Sequence, residues 1–322
     1  MGWDVMAAAQ ILFGPVPSRR LGRSLGINNI PPKVCSYSCV YCQVGRTLEH
    51  EVEPRAFYRP EDIVKQVEAR IQALSSRGET ADYLAFVPDG EPTLDKNLAE
   101  TIESLRPFGI KIAVITNASL LWKSEVRQAL QKADWVSVKI DVVDERIWRR
   151  INRPHRDLKL DTILDGMQLF AEQYSGELAT ETMLVKGLND RREPMAATAH
   201  FVAAMSPDKS YLAVPTRPPA DAGITPPAEE FVMDTYHLFR EQISHVECLV
   251  AYEGDDFSGP GDIAEELVNI TSVHPMREDA VKRLLEKKGR GFEVVDRLIR
   301  EGKITCTTYE GNRFYLRAFP RR

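Results

Sequence analysis

Between about residues 24 and 252, short apolar runs alternate with stretches in which apolar residues recur every three or four positions. The second spacing puts a stripe on one face of an α-helix, whereas a short apolar run bounded by turn formers reads as a buried strand. The segment 60–77 shows the helical spacing well. Ile63, Val64, Val67, Ile71 and Leu74 share a face, and Pro60, Glu61 and Asp62 mark the start. The alternation predicts strands over 24–28, 82–87, 110–115, 135–140, 179–185, 211–214 and 246–251. Helices are predicted over 60–77, 97–105, 123–132, 145–151, 160–174, 193–205 and 229–243. Such regular succession predicts an α/β fold, a parallel sheet joined by right-handed crossovers. The strands are apolar through their length, as a sheet covered by helices requires. Six or seven units fit an open barrel or a doubly wound sheet, and periodicity does not choose between them.

The pattern changes at 253–262, a polar stretch with three glycines that reads as a linker. Beyond it, helices are predicted over 263–270, 277–288 and 292–300. Strands over 304–309 and 313–317 follow, joined by Glu310, Gly311 and Asn312. Three helices and a β-ribbon are the plan of a winged helix-turn-helix. The expected organisation is therefore a main domain over 1–252, a linker over 253–262 and a small winged-helix domain over 263–322.

Composition narrows the class. With 43% hydrophobic and 28% charged residues, the chain reads as a globular protein. No apolar run approaches the roughly 20 residues of a membrane helix. The first residues lack the basic start and long apolar centre of a signal peptide, so a cytoplasmic location is expected. Five cysteines, three of them clustered, fit a reducing compartment better than a disulfide framework. Charge is uneven: residues 277–322 carry 13 Lys and Arg against 7 Asp and Glu, on a chain of net charge −5. A basic tail on an acidic body raises the question of an anionic partner there.

The chemistry concentrates in eight residues, Cys35-Ser36-Tyr37-Ser38-Cys39-Val40-Tyr41-Cys42. Thiolates at this spacing can hold three corners of a 4Fe–4S cluster from one loop. A fourth iron then has no nearby protein ligand and is open to a small molecule. Zinc, with His50 as a further ligand, is the competing reading, but structural zinc sites pair two separated knuckles and no second one exists here. A purely electron-carrying cluster calls for a fourth cysteine. Cys248 and Cys306 are single and far apart in sequence. The three-ligand cluster is the reading that fits.

The loop Cys35-x-x-x-Cys39-x-Tyr41-Cys42 resembles the signature of the radical S-adenosylmethionine superfamily. Asp89-Gly90-Glu91-Pro92, after the second strand, is similar to the Gly-Glu-Pro motif of the same family. The resemblance implies a partial (βα)6 barrel over most of residues 14–252, with the cluster at Cys35, Cys39 and Cys42. It implies S-adenosylmethionine as cofactor, reductively cleaved to a 5′-deoxyadenosyl radical that abstracts hydrogen from a substrate. An external electron donor of the flavodoxin or ferredoxin type follows. Tyr41 sits where the family sets an aromatic against adenine. Gly90 lets the backbone approach the methionine amine, while Glu91 and Pro92 shape that turn. Asn117, Lys139 and Asp141 stand where relatives place ligands for the methionine carboxylate or ribose. Val185 and Val214 stand where backbone and apolar contacts flank adenine.

A looser likeness concerns Gly14–Gly26, Ile151-Asn152-Arg153-Pro154 and Arg217-Pro218-Pro219, which are similar to the group of the wyosine-base tRNA synthases. Those synthases carry further N-terminal cysteines, and none precedes Cys35 here. Arg19, Arg20, Arg153 and Arg217 are then candidates for an anionic substrate or for salt bridges. The expected substrate is an RNA or tRNA base, with a peptide or protein as the alternative. Arg290, Arg297, Arg300 and Lys303 are the cations that a nucleic-acid reading of the tail would use. Structural lid and dimer contact are its other roles. Cys248 is a candidate hydrogen-atom donor or a core residue. A DNA-binding regulator that senses redox state through the cluster is the reading of a different class.

Overall fold

The structure is a computed structural model that describes residues 11–18, 20–250 and 262–318. Two strands open it, β1 (Leu12–Ser18) and β2 (Gly22–Ile27). The two-residue strands β3 (Val34–Cys35) and β4 (Glu49–His50) then frame the cysteine loop. Next come α1 (Pro60–Ser75), β5 (Tyr83–Phe86), α2 (Leu98–Leu105), β6 (Lys111–Thr116), α3 (Ser124–Leu130) and β7 (Trp135–Lys139). Two helices, α4 (Glu145–Ile151) and α5 (Leu160–Gln173), precede β8 (Glu177–Met183). The series closes with α6 (Arg192–Ala204), β9 (Lys209–Ala213), α7 (Glu229–Arg240) and β10 (Val246–Leu249).

One eight-stranded sheet runs β1-β2-β5-β6-β7-β8-β9-β10. Every pair from β2 to β10 is parallel. This is the curved parallel sheet expected of a partial barrel, with seven parallel strands where the resemblance implies six. β1 is added antiparallel at one edge, and its register shifts between Phe13 and Val16. Alternation along the strands separates two cores. Leu84, Phe86, Ile112, Val114, Val136 and Val138 face the helices. Ala85, Ala113, Trp135, Ala179 and Tyr211 face the other way, and Leu21 closes over them. Of this face, Leu21 and Ala85 line the cavity described below.

After β10 come α8 (Ile263–Val273), β11 (Met276–Arg277), α9 (Glu278–Lys287), α10 (Glu293–Arg300), β12 (Ile304–Tyr309) and β13 (Asn312–Arg317). The strands form a small antiparallel sheet, β11-β13-β12. The sequence pattern shows β12 and β13 but not the two residues of β11. This segment packs on the main sheet through a shared core: Phe13 and Val16 of β1 join Leu267, Ile270, Leu284, Val295 and Tyr315. The Tyr309 hydroxyl adds hydrogen bonds to the carbonyls of Pro215 (3.2 Å) and Ile224 (3.3 Å). The expected linker at 253–262 falls outside the described residues except for Asp262, which N-caps α8. Among the described residues, no helix is long and apolar enough to cross a membrane.

Candidate active site

Parallel strands all send their following loops to one edge of a sheet, where α/β enzymes build their sites. Here that edge collects the cysteine loop after β2, Asp89-Gly90-Glu91-Pro92 after β5, Thr116-Asn117 after β6, Asp141 after β7 and Val214 after β9.

The cysteine loop is fastened from two sides. On one side Lys33, in the left-handed region at φ 66°, donates its amide to the Asp89 carbonyl (2.6 Å). Glu91 donates its amide to the Val34 carbonyl (3.1 Å). On the other side Ser38 and Val40 donate their amides to the carbonyls of Asn152 and Ile151, both at 3.0 Å. The Trp148 indole donates to the Tyr37 hydroxyl (3.1 Å). A short turn, with the Cys42 amide on the Cys39 carbonyl (3.1 Å), brings the second and third cysteines together.

All three cysteines line one cavity of about 330 Å³, together with Tyr41, Gly90, Glu91, Asn117, Lys139 and Val214. Its other walls carry Arg20, Glu181 and Arg217 from the main sheet and its loops, and Val273 and His274 from the C-terminal segment. Three of the expected cofactor residues are not on the wall: Pro92, Asp141 and Val185. Pro92 opens a buried helical turn at Pro92–Leu94. Val185 is fully buried in the helix-side core, with its amide on the Asn189 side chain (2.8 Å).

Asp141 lies behind the cavity wall. It is a buried acceptor that takes hydrogen bonds from the Tyr41 hydroxyl, the Asn152 carboxamide (2.6 Å) and the Met183 amide (2.9 Å). Lys139, 3.7 Å from Asp141, makes its close ion pair with Glu181 at 2.6 Å. Its ammonium also lies 5.0 Å over the Tyr41 ring. Arg20 pairs with the other Glu181 oxygen. Glu181, a carboxylate between Thr180 and Thr182 on β8, escaped the sequence reading. A charged residue inside a predicted strand is the signal that finds it.

Glu91 is fully enclosed. It accepts from Thr93 Oγ1 (2.6 Å), Thr116 Oγ1 (2.6 Å), the Thr93 amide (3.1 Å) and the Asn117 amide (2.7 Å). It ties the second and third loops together. Asn117 directs its carboxamide at Ser36 Oγ (2.9 Å) and the Cys35 sulfur (3.5 Å).

Of the arginines, Arg217 donates to Gln43 Oε1 (2.8 Å) and meets His274 Nε2 at 2.9 Å. Arg153 pairs with Asp221 away from the cavity, and Arg19 lies outside the described residues. Cys248 is half-buried against the helix-side core and does not line the cavity. His50 is also off the wall: its Nε2 meets the Ser36 carbonyl at 2.9 Å and its ring stands edge-on to His155.

The donor set fits a cluster. Three thiols from one loop face one space, and amide N–H groups reach their sulfurs: Tyr37 N and Asn117 Nδ2 at Cys35 (both 3.5 Å), Asn152 Nδ2 at Cys39 (3.4 Å). Burial pushes all three thiols up, Cys39 to about 12, so uncoordinated they hold their protons at neutral pH. For Cys42 the nearby Lys33 ammonium works against that rise. A metal must displace those protons to bind.

Residues 29–201 match the family described as the Radical SAM superfamily. The chain belongs to that superfamily, whose enzymes use a 4Fe–4S cluster and S-adenosylmethionine. Within it, the chain is 50% identical over 309 residues to UPF0026 protein MJ1312 of Methanocaldococcus jannaschii, covering 95% of this chain and 96% of that one. A radical SAM methyltransferase from Sphaerobacter thermophilus shares the fold at a TM-score of 0.53 and 15% identity, over 71% of this chain and 67% of that one. TYW1 with a lysine-pyruvate adduct bound shares it at 0.51 and 17% identity, over 69% and 74%.

Proposed function

We propose that this enzyme binds S-adenosylmethionine at a 4Fe–4S cluster held by Cys35, Cys39 and Cys42 and generates a 5′-deoxyadenosyl radical for hydrogen abstraction. The observation that carries the reading is that the three cysteines share a single cavity with Gly90, Glu91 and Asn117, at the loop edge of a parallel sheet. When bound, the cluster and cofactor supply a one-electron cleavage of the sulfonium C–S bond. The chain's part is to hold and shield the reacting groups. Gly90 and Glu91 form one wall, Tyr41 and Lys139 a second, and Val214 an apolar third. An external donor of the flavodoxin or ferredoxin type delivers the electron.

The C-terminal segment, which we infer to be a winged helix, belongs to the same site through Val273 and His274. Of the four cations named for a nucleic-acid face, Lys303 pairs with Glu301 (2.8 Å) and Arg297 lies 3.9 Å from the same carboxylate, while Lys282 pairs with Glu278 (2.6 Å) and Arg283 with Asp279 (3.0 Å). That pairing supports a wall for the substrate over a phosphate-binding face. Binding of total tRNA by the full chain in a salt series separates the RNA substrate class from the peptide class, since phosphate contacts weaken steeply with salt. For the cofactor site, the test is electron paramagnetic resonance of the anaerobically reconstituted, dithionite-reduced protein. A reduced-cluster signal that changes on adding S-adenosylmethionine is expected, and an unchanged signal overturns the proposal.

A further inference from the structure

Asn152 lies beyond the cysteine loop in sequence, yet its carboxamide is buried against that loop. Its Nδ2 is 3.4 Å from the Cys39 sulfur, 2.6 Å from Asp141 Oδ2 and 3.2 Å from the Tyr41 hydroxyl. The carboxamide has two N–H donors. Asp141, which also accepts from Tyr41 and from the Met183 amide, fixes the direction of one, and the other points between the Cys39 sulfur and the Tyr41 hydroxyl oxygen. The backbone agrees with this aim: Asn152 O takes the Ser38 amide, so main chain and side chain grip the loop from the same side.

Resting on the cluster reading above, we propose that Asn152 is a positioning residue that sets the reduction potential of the cluster by donating a hydrogen bond to the Cys39 thiolate. One electron from an external donor adds negative charge to the cluster and its sulfurs. A donor to a thiolate stabilises the electron-rich reduced form more than the oxidised one, which raises the potential. The same carboxamide links Cys39 to Asp141 and, through it, to Tyr41 and Lys139 on the cavity wall. Asn117 makes the corresponding contact at Cys35, with Ser36 Oγ as its second acceptor.

The experiment is a potentiometric titration of the reconstituted full-length protein, wild type against Asn152→Leu, which keeps the bulk and removes the donor. Iron and sulfide are counted in both. The expected result is a midpoint moved to more negative potential with the cluster intact. An unchanged midpoint with an intact cluster overturns the proposal. Should the variant fail to load, an Asn117→Leu protein that keeps Asn152 decides: with its asparagine carboxamides labelled with nitrogen-15, pulsed electron paramagnetic resonance of the reduced cluster is expected to show a coupling to the Asn152 carboxamide nitrogen. Absence of that coupling overturns the proposal. Failure of the wild type to assemble a 4Fe–4S cluster contradicts the function itself and is told apart by the iron count.

Discussion

Gly90 sits so close to Val34 that a Cβ added to it would lie 2.1 Å from the Val34 carbonyl oxygen and 2.8 Å from Ile30 Cδ1. The contact joins the residue before the first cysteine to the turn after β5, and the Glu91 amide on Val34 O (3.1 Å) secures it. The glycine expected to admit a cofactor is therefore already required by the chain's own packing. Gly90→Ala must move the cysteine loop or the turn. A loss of about 1–3 kcal/mol is expected, as for other overpacked sites. Chemical denaturation measures it, and a wild-type midpoint contradicts the contact.

Glu181 gives the pH dependence a sign. Burial alone would raise its carboxyl, but Lys139 and Arg20 outweigh it and hold the group at about 2, against an ordinary 4.5. A depressed carboxylate stabilises the fold fully above its unfolded value and loses that contribution as pH falls through the folded one. The window is therefore about pH 4.5 down to 2, and the contribution is roughly 3 kcal/mol. Glu181→Gln is expected to lose about that much at neutral pH and to flatten the acid limb. Equal stability of the two proteins at pH 7, with parallel acid limbs, contradicts the assignment.

Apolar packing ties the C-terminal segment to β1. Leu267 is 1% exposed in the core it shares with Phe13 and Val16 of β1. Leu267→Ala is expected to cost about 2–5 kcal/mol by opening a cavity. Limited proteolysis should release the segment more readily in the variant. Tyr309→Phe, which removes the hydroxyl shared by Pro215 and Ile224, is expected to cost about 1 kcal/mol. No change in either variant contradicts the docking.

Much of this was legible in the chain. Each of the seven parallel strands follows its predicted run to within a few residues, because apolar length and helical stripe are local signals. β1 was hidden by Gly14-Pro15-Val16-Pro17: two prolines read as a break, yet an edge strand with a bulge tolerates them. The cysteine loop was legible from its spacing, and the Gly90-Glu91 turn from its resemblance to the Gly-Glu-Pro motif. Asn152 stands out only as part of the Ile151–Pro154 motif and Arg20 only as one of four candidate arginines, since nothing local tells that one reaches Cys39 and the other Glu181. The docking of α8 through Val273 and His274 is long-range and leaves no periodic trace.

The measurement closest to the central claim is 5′-deoxyadenosine formation by the anaerobically reconstituted protein with S-adenosylmethionine and dithionite, read by chromatography beside a Cys35/Cys39/Cys42→Ala triple variant. The account predicts 5′-deoxyadenosine from the wild type and none from the variant. The same yield from both, or none from a wild type carrying four irons, contradicts it.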